Sequence, residues 1–312
     1  AIEFNQSFLD MQTEITEAHL NTPQGKEADA ILRSCVHCGF CLATCPTYQL
    51  VGDELDSPRG RIYLIKQVLE GETPTQKTQA HLDRCLTCRA CESTCPSGVQ
   101  YGRLVDIGRE LVEQKVSRSM PDRLLRGSLR YVLPRAGLFN SLLALGRVAR
   151  PVLPQMLKDK IPLKVAAGLW PTTTHKRKML LLDGCVQPGM APNINSATAR
   201  VLDKLGVTLV RADKVGCCGA ISHHLNAQHE ALEYVRRNID AWWPHIEAGA
   251  EAIVVTASGC GTMVQDYGHL LQHDSVYAKK AERVSALFRD VSQVISDEQN
   301  HLKELLKKSN KS

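Results

Sequence analysis

Apolar positions fall at helical spacing through the first half of the chain. Residues 1–34 read as helical, ending in an approach helix over Ala28–Arg33. Ser57-Pro58 reads as a helix start with proline at the first helical position, and Ile62, Ile65, Val68 and Leu69 then share one side of Arg61–Leu69. His81–Arg84 is a short helical lead-in, and residues 102–116 form one more helix. Leu125, Leu129, Val132, Leu138, Leu142 and Leu145 keep the same spacing across 117–175, a stretch punctuated by Pro121, Pro134, Pro151, Pro154, Pro162 and Pro171. From Lys178 the rhythm changes. Met179–Leu182 is a short continuous apolar run, as a buried strand requires, and Val207–Val210 and Ala252–Thr256 repeat it. Helical stretches at Asn193–Leu205, Ala227–Ile246 (with a bend expected at Pro244) and Met263–Gln272 alternate with these strands, which predicts a parallel α/β layer. The tail after Ala278 reads as helical, lysine-rich from Lys303. The expected fold is multidomain: an all-α domain over 1–116, an amphipathic connector over 117–177 and an α/β domain over 178–312.

Bulk properties narrow the class. A length of 312 residues suits about two domains, and 43% hydrophobic content is ordinary for a globular protein. No window holds the ~18 uninterrupted apolar residues of a membrane span. The longest candidate, Ala136 to Gly146, is broken by Asn140 and Ser141 and closed by Arg147. Ala1–Asp10 has neither a basic n-region nor an apolar h-region, and no initiator Met, so no secretory signal is expected and the start is read as processed or cut. Twelve cysteines then point to a reducing, cytoplasmic compartment and to metal ligation. The net charge of +5 is unevenly spread. Residues 1–30 carry Glu3, Asp10, Glu14, Glu17, Glu27 and Asp29 against Lys26 alone. Residues 115–150 carry Lys115, Arg118, Arg123, Arg126, Arg130, Arg135, Arg147 and Arg150 against Asp122 alone. That basic connector is expected to lie on an acidic membrane surface or a partner subunit. It lacks the interleaved aromatics of a nucleic-acid binder, and no nucleic acid is expected.

Eight cysteines fall in two copies of one pattern, C-x2-C-x2-C-x3-C-P: Cys35, Cys38, Cys41, Cys45-Pro46 and Cys85, Cys88, Cys91, Cys95-Pro96. This is the bacterial ferredoxin run for [4Fe–4S] clusters, in which the fourth cysteine ligates the other cluster. Cys35, Cys38, Cys41 and Cys95 are therefore expected to hold one cluster, and Cys45, Cys85, Cys88 and Cys91 the second. Zinc sites normally use two separated C-x2-C pairs and do not need the third step, and disulfides suit short secreted chains. The 50-residue offset from Cys35 to Cys85 leaves room for a helical insertion between the runs, which argues for clusters held among helices.

The other four cysteines lie in Gly184-Cys185, Gly216-Cys217-Cys218-Gly219 and Gly259-Cys260-Gly261, each where a strand end or loop meets a helix. Ligands gather at such strand ends, and the flanking glycines allow close backbone approach. Buried core thiols are the plain alternative, but a Cys-Cys pair between glycines packs poorly as core. A third iron–sulfur site over Cys185, Cys217, Cys218 and Cys260 is expected. These residues resemble one copy of the CCG cysteine-rich domain found in heterodisulfide reductases and in iron–sulfur subunits of membrane-linked flavin dehydrogenases. With the two runs ahead of it, and with the stretches Ser34–Cys41, Ser57–Gln67 and Asn238–Pro244, the chain from about 11 to 300 resembles the iron–sulfur subunits of bacterial glycolate oxidase. The resemblance implies an electron-transfer subunit of a flavin-dependent glycolate dehydrogenase. It would work with FAD-containing partner subunits, pass electrons toward a quinone or membrane acceptor, and sit peripherally on the cytoplasmic membrane face. Two departures stand out. Position 263 is Met where the CCG pattern often closes with cysteine, and no second Cys-Cys pair follows within the 312 residues, so the chain is expected to be a fragment or a truncated form lacking the second CCG copy.

No G-x-G-x-x-G and no G-x-x-x-x-G-K-[ST] occurs, and no catalytic residue is expected on this chain. His223-His224 reads as an exposed loop pair and Trp242-Trp243 as helix packing. Rival readings are the matching subunit of a lactate or glycerol-3-phosphate dehydrogenase and, in another class, a cluster-bearing sensor or scaffold.

Overall fold

A computed structural model describes residues 11–309, so the helical expectation for 1–10 lies outside the described residues. Two compact units divide the chain, Ala1–Arg123 and Leu124–Ser312.

The first unit is helical. Its frame is α1 (Pro23–Arg33), α2 (Pro58–Leu69), α3 (Gln76–Asp83) and α4 (Tyr101–Lys115). Each of the first three is stopped at its start by a hydroxyl: Thr22 accepts from Gly25 N–H, Ser57 from Gly60 N–H, and Thr75 forms a capping box with Thr78. Pro23 and Pro58 occupy first helical positions, where their missing N–H costs nothing. The α2 stripe expected from spacing is buried as a unit: Ile62, Ile65, Val68 and Leu69 are all 3% exposed or less. It packs in one core with Leu32 of α1, Leu82 of α3 and Leu104, Val105 and Val112 of α4. At the start of α2 the backbone comes so close to the preceding turn that a Cβ on Gly60 would lie 2.0 Å from the Glu54 carbonyl oxygen. Backbone meets backbone there, so Gly60→Ala is expected to cost about 2 kcal/mol or more, read as a lowered thermal midpoint.

The second unit opens with two helices of the connector, α5 (Met120–Val132, which begins at the end of the first unit) and α6 (Ala136–Ala149). Neither has a buried residue. Beyond them β1 (Arg177–Leu182), β2 (Val207–Val210) and β3 (Ile253–Val255) match the three expected strands. A fourth, β4 (Phe288–Asp290), interrupts the tail that reads as helical in the sequence. The order is β2-β1-β3-β4, parallel throughout, with Leu180 opposite both Val210 and Ile253. Alternation splits β1 between two cores. Leu180 and Leu182 pack with Val235, Ile239 and Trp242 of the long helix Gln228–Glu247, which runs on through Pro244. Met179 and Leu181 pack on the other face with Ala199 and Leu202 of Pro192–Lys204. Strands covered on both faces read as continuous apolar runs, which is why β1 is legible. Among the described residues no helix is long and apolar enough to cross a membrane.

Candidate iron–sulfur sites

The two cysteine runs share one backbone path. The N–H of Cys35 closes on the Leu32 carbonyl at 3.0 Å, and that of Cys85 on Leu82 at 3.2 Å, so each run leaves the end of a helix the same way. Two residues on, His37 and Thr87 both have positive φ (53° and 51°), and two further on so do Gly39 and Arg89 (84° and 56°). Left-handed residues at these spacings turn amides inward into an anion-binding nest. The Thr87 N–H, for example, donates to Cys85 Sγ at 3.4 Å.

The fourth cysteines cross over. An open-sided pocket is walled by Cys35, Cys38 and Cys41 together with Cys95. A second is walled by Cys85, Cys88 and Cys91 together with Cys45. Cys91 also borders the first. No carboxylate lines either pocket. Burial and then the neighbouring Cys35 push the Cys41 thiol up to about 11, and burial and then Cys85 push Cys91 up to about 12. Burial, reinforced by Cys95 and Cys38, raises Cys35 as well. Rings of thiols that resist ionising together give up their protons when metal cations take the negative charge, and four cysteines at each pocket, with His37 also on the wall of the first, suit iron–sulfur clusters or other thiophilic metals.

Side chains beyond the cysteines hold these pockets, and sequence reasoning gave them no role. Arg61, 1% exposed, lines the second pocket. Its Nε donates to the His81 carbonyl at 2.7 Å, Nη1 to Thr47 Oγ1 at 3.2 Å and Nη2 to Asp56 Oδ1 at 3.3 Å. Thr47 Oγ1 lies 3.2 Å from Cys45 Sγ. Asp56 is fully buried and also receives Arg84 Nη1 at 2.8 Å and lies 3.1 Å from His81 Nδ1. Burial opposes its ionisation, but hydrogen bonds and charge from His81 and Arg84 outweigh burial and hold the carboxyl below its ordinary 3.8. The Tyr101 hydroxyl donates to Cys85 Sγ at 3.5 Å, and Arg109 Nη2 donates to the carbonyls of Leu82 and Cys85 at 2.9 and 2.7 Å. The signal for Arg61 and Arg109 was in the sequence: each stands on the buried stripe of an apolar helix face.

In the second unit Cys185, Cys217 and Cys218 follow the carboxyl ends of β1 and β2, and Cys260 lies in the first turn of the helix Ser258–Gln265 after β3. That helix begins five residues before the expected Met263. The thiols interact in a row, Cys185 with Cys217, Cys217 with Cys218, and Cys218 with Cys260, each member of a pair shifting the other's ionisation. The thiols of Cys185 and Cys218, with the Gly219 N–H at 3.4 Å, stabilise Cys217 as a thiolate, down to about 3. Cys218 is raised in turn by Cys217 and Cys260. Asn238 and Tyr267, both 0% exposed, clamp the pair from behind. Asn238 accepts from Gly216 N–H at 2.9 Å and donates to the Cys217 carbonyl at 2.8 Å, while the Tyr267 hydroxyl donates to the Cys218 carbonyl at 2.8 Å. Met263 is 4% exposed and belongs to the same core as Cys218. His223, expected on an exposed loop, is instead buried in a short helix with Nδ1 2.5 Å from Gln228 Oε1. Trp242 is core, as its spacing suggests, and stacks on Tyr267.

Comparison with known proteins agrees with this layout. The 4Fe-4S dicluster domain family matches residues 31–99, and the cysteine-rich CCG domain family matches 179–265. The glycolate oxidase iron-sulfur subunit of Escherichia coli is 58% identical over 289 residues, 92% of this chain and 71% of that protein. The probable glycolate oxidase iron-sulfur subunit of Bacillus subtilis is 32% identical over 88% of this chain and 67% of its own length. Lactate utilization protein A of Bacillus thuringiensis is 28% identical over 38% of this chain. No solved structure matches. A helical dicluster domain followed by a CCG domain, in this order and at this identity, means that the chain belongs to the glycolate oxidase iron–sulfur subunit family.

Proposed function

We propose that the chain is the electron-transfer subunit of a flavin-dependent glycolate dehydrogenase. Cys35, Cys38, Cys41 and Cys95 would hold one [4Fe–4S] cluster, Cys45, Cys85, Cys88 and Cys91 a second, and Cys185, Cys217, Cys218 and Cys260 a third iron–sulfur site. The observation that carries the reading is the crossover, in which the fourth cysteine of each run walls the pocket of the other run. Bound there, the clusters supply one-electron carriers. The chain's own residues supply thiolates, amides aimed at sulfur and apolar walls such as Ile62 and Val99 that keep water back. Glycolate oxidation falls to FAD-containing partner subunits, and the electrons leave toward a quinone or membrane acceptor at the cytoplasmic membrane face. The lactate reading has less support, since that relative matches little more than a third of the chain.

Anaerobically purified protein should carry about eight irons from the first unit and about twelve with the third site filled. It should copurify with a flavoprotein and become reduced when glycolate is added. Stoichiometric zinc with little iron would overturn the reading.

We propose that the docking face belongs to the connector, and that the apolar side of α5 contributes to it beside the arginines. Leu124, Leu125 and Tyr131 are 75%, 58% and 59% exposed, whereas Arg130 is tied to Glu230 at 2.7 Å. Leu124→Glu with Leu125→Glu is expected to abolish copurification with the flavin subunit while leaving the iron content unchanged. Retained copurification would remove the assignment.

A further inference from the structure

The two pockets of the first unit differ in the charge built around them. Beside the pocket of Cys35, Cys38, Cys41 and Cys95 stands Arg59, 34% exposed and paired at 2.8 Å with Glu54, itself 43% exposed. That pair is nearly neutral as a unit, and solvent screens it. Beside the pocket of Cys45, Cys85, Cys88 and Cys91 stands Arg61, 1% exposed. Arg61 is paired at 3.3 Å with the buried carboxylate of Asp56, which also takes Arg84 Nη1 at 2.8 Å. Arg84 is 53% exposed and solvent screens it, so what sets this pocket apart is a guanidinium and a carboxylate both held out of water, with the guanidinium the nearer to the pocket, since Arg61 lines it and Asp56 does not. Asp53, Asp56 and His81 also converge there, but the guanidinium groups already supply the positive charge a metal would bring. Hydrogen bonding adds to the asymmetry. Thr47 Oγ1 lies 3.2 Å from both Arg61 Nη1 and Cys45 Sγ while donating its proton to the Asp56 carbonyl at 2.9 Å, and Tyr101 donates directly to Cys85 Sγ. Charge buried in a low-dielectric site acts far more strongly than charge at the surface, and net charge, hydrogen bonds to sulfur and exposure are what set cluster potentials.

We infer that Arg61 is a positioning and tuning residue that raises the reduction potential of the cofactor held by Cys45, Cys85, Cys88 and Cys91 above that of its neighbour, making this site the electron-collecting end of the pair. The inference rests on the ligand assignment proposed above. Asp56 acts in the opposite sense, since its carboxylate offsets part of the positive charge. The two residues therefore make a sign test that simple structural damage does not imitate.

The experiment is a potentiometric titration of the full chain, followed by paramagnetic resonance of the reduced clusters. The relevant signal is identified as the one that Cys45→Ser alters. Arg61→Met is expected to lower the midpoint of that signal, cutting the reduced-to-oxidised ratio at fixed ambient potential about tenfold, which for one electron is about 59 mV. Asp56→Asn is expected to raise it. The double variant should return toward wild type, and Arg61→Lys should keep most of the wild-type value. The other signal should move much less in every case. Unchanged midpoints in iron-loaded variants, or shifts of the same sign in both, would overturn the inference. If Arg61→Met loses its iron, Asp56→Asn alone decides, and an unchanged or lowered midpoint is then the negative result. Failure of the underlying assignment looks different: wild-type protein without about eight irons, or Cys45→Ser and Cys35→Ser altering one and the same signal.

Discussion

Cys45→Ser is expected to destroy the cluster that we propose it shares with Cys85, Cys88 and Cys91, which lie 40 to 46 residues further along the chain. About four of the eight irons proposed for the first unit should be lost, along with one of two paramagnetic signals. The reason is the crossing of the fourth cysteines, since Cys45 walls the second run's pocket and not its own. Glycolate-dependent reduction of an artificial acceptor through this subunit should fall by orders of magnitude, because a chain of carriers conducts no better than its worst link. Cys95→Ser should give the mirror result on the other signal. Loss of the Cys35 signal in Cys45→Ser protein would show that the runs are closed on themselves.

The second large effect is expected at Asn238, a residue with no sulfur. Its side chain satisfies the half-buried Gly216 N–H and the buried Cys217 carbonyl, and meets the buried Tyr267 hydroxyl at 3.1 Å. Asn238→Leu fills the space but leaves the buried Cys217 carbonyl and the half-buried Gly216 N–H without this partner. A cost of roughly 2 kcal/mol to the second unit follows. The Cys217-Cys218 turn should then lose its fixed path, and the irons of the third site should be lost with it, since a site assembled from distant segments is coupled to folding. The signals of the first unit should persist. Full iron content and an unchanged melting profile would mean that the turn holds itself.

What could be read from the sequence depended on how each feature is encoded. Cysteine spacing is a chemical pattern, so the candidate ligands needed no three-dimensional information, and the α2 stripe and β1 run follow directly from burial periodicity. The supporting shell is written differently. Arg61, Arg109 and Asn238 lie on stripes with Ile65, Val112 and Trp242, where a polar residue looks like an irregularity in an amphipathic pattern. Only the partners reveal what each does, and those partners are carbonyls and carboxylates that composition does not mark. β4 escaped because it is three residues long, with Arg289 and Asp290 giving no apolar run, and its place in the sheet comes from pairing with β3. The helix from Ser258 was read five residues short, since Gly259 and Gly261 argue against a helix until Cys260 has to meet Cys218.

Cys91, Pro58 and Tyr101 border both pockets of the first unit. The partition between the two compartments is therefore built from residues that each touch both sides. With a cofactor bound in each pocket, electrons would have only this shared wall to cross, and tunnelling falls exponentially with the width of such a gap. Exchange across it would outrun every step that depends on molecular encounter, and turnover would be governed at the outer surfaces where electrons arrive and leave. Bulk added inside the partition would then be felt first as resistance, before it was felt as instability.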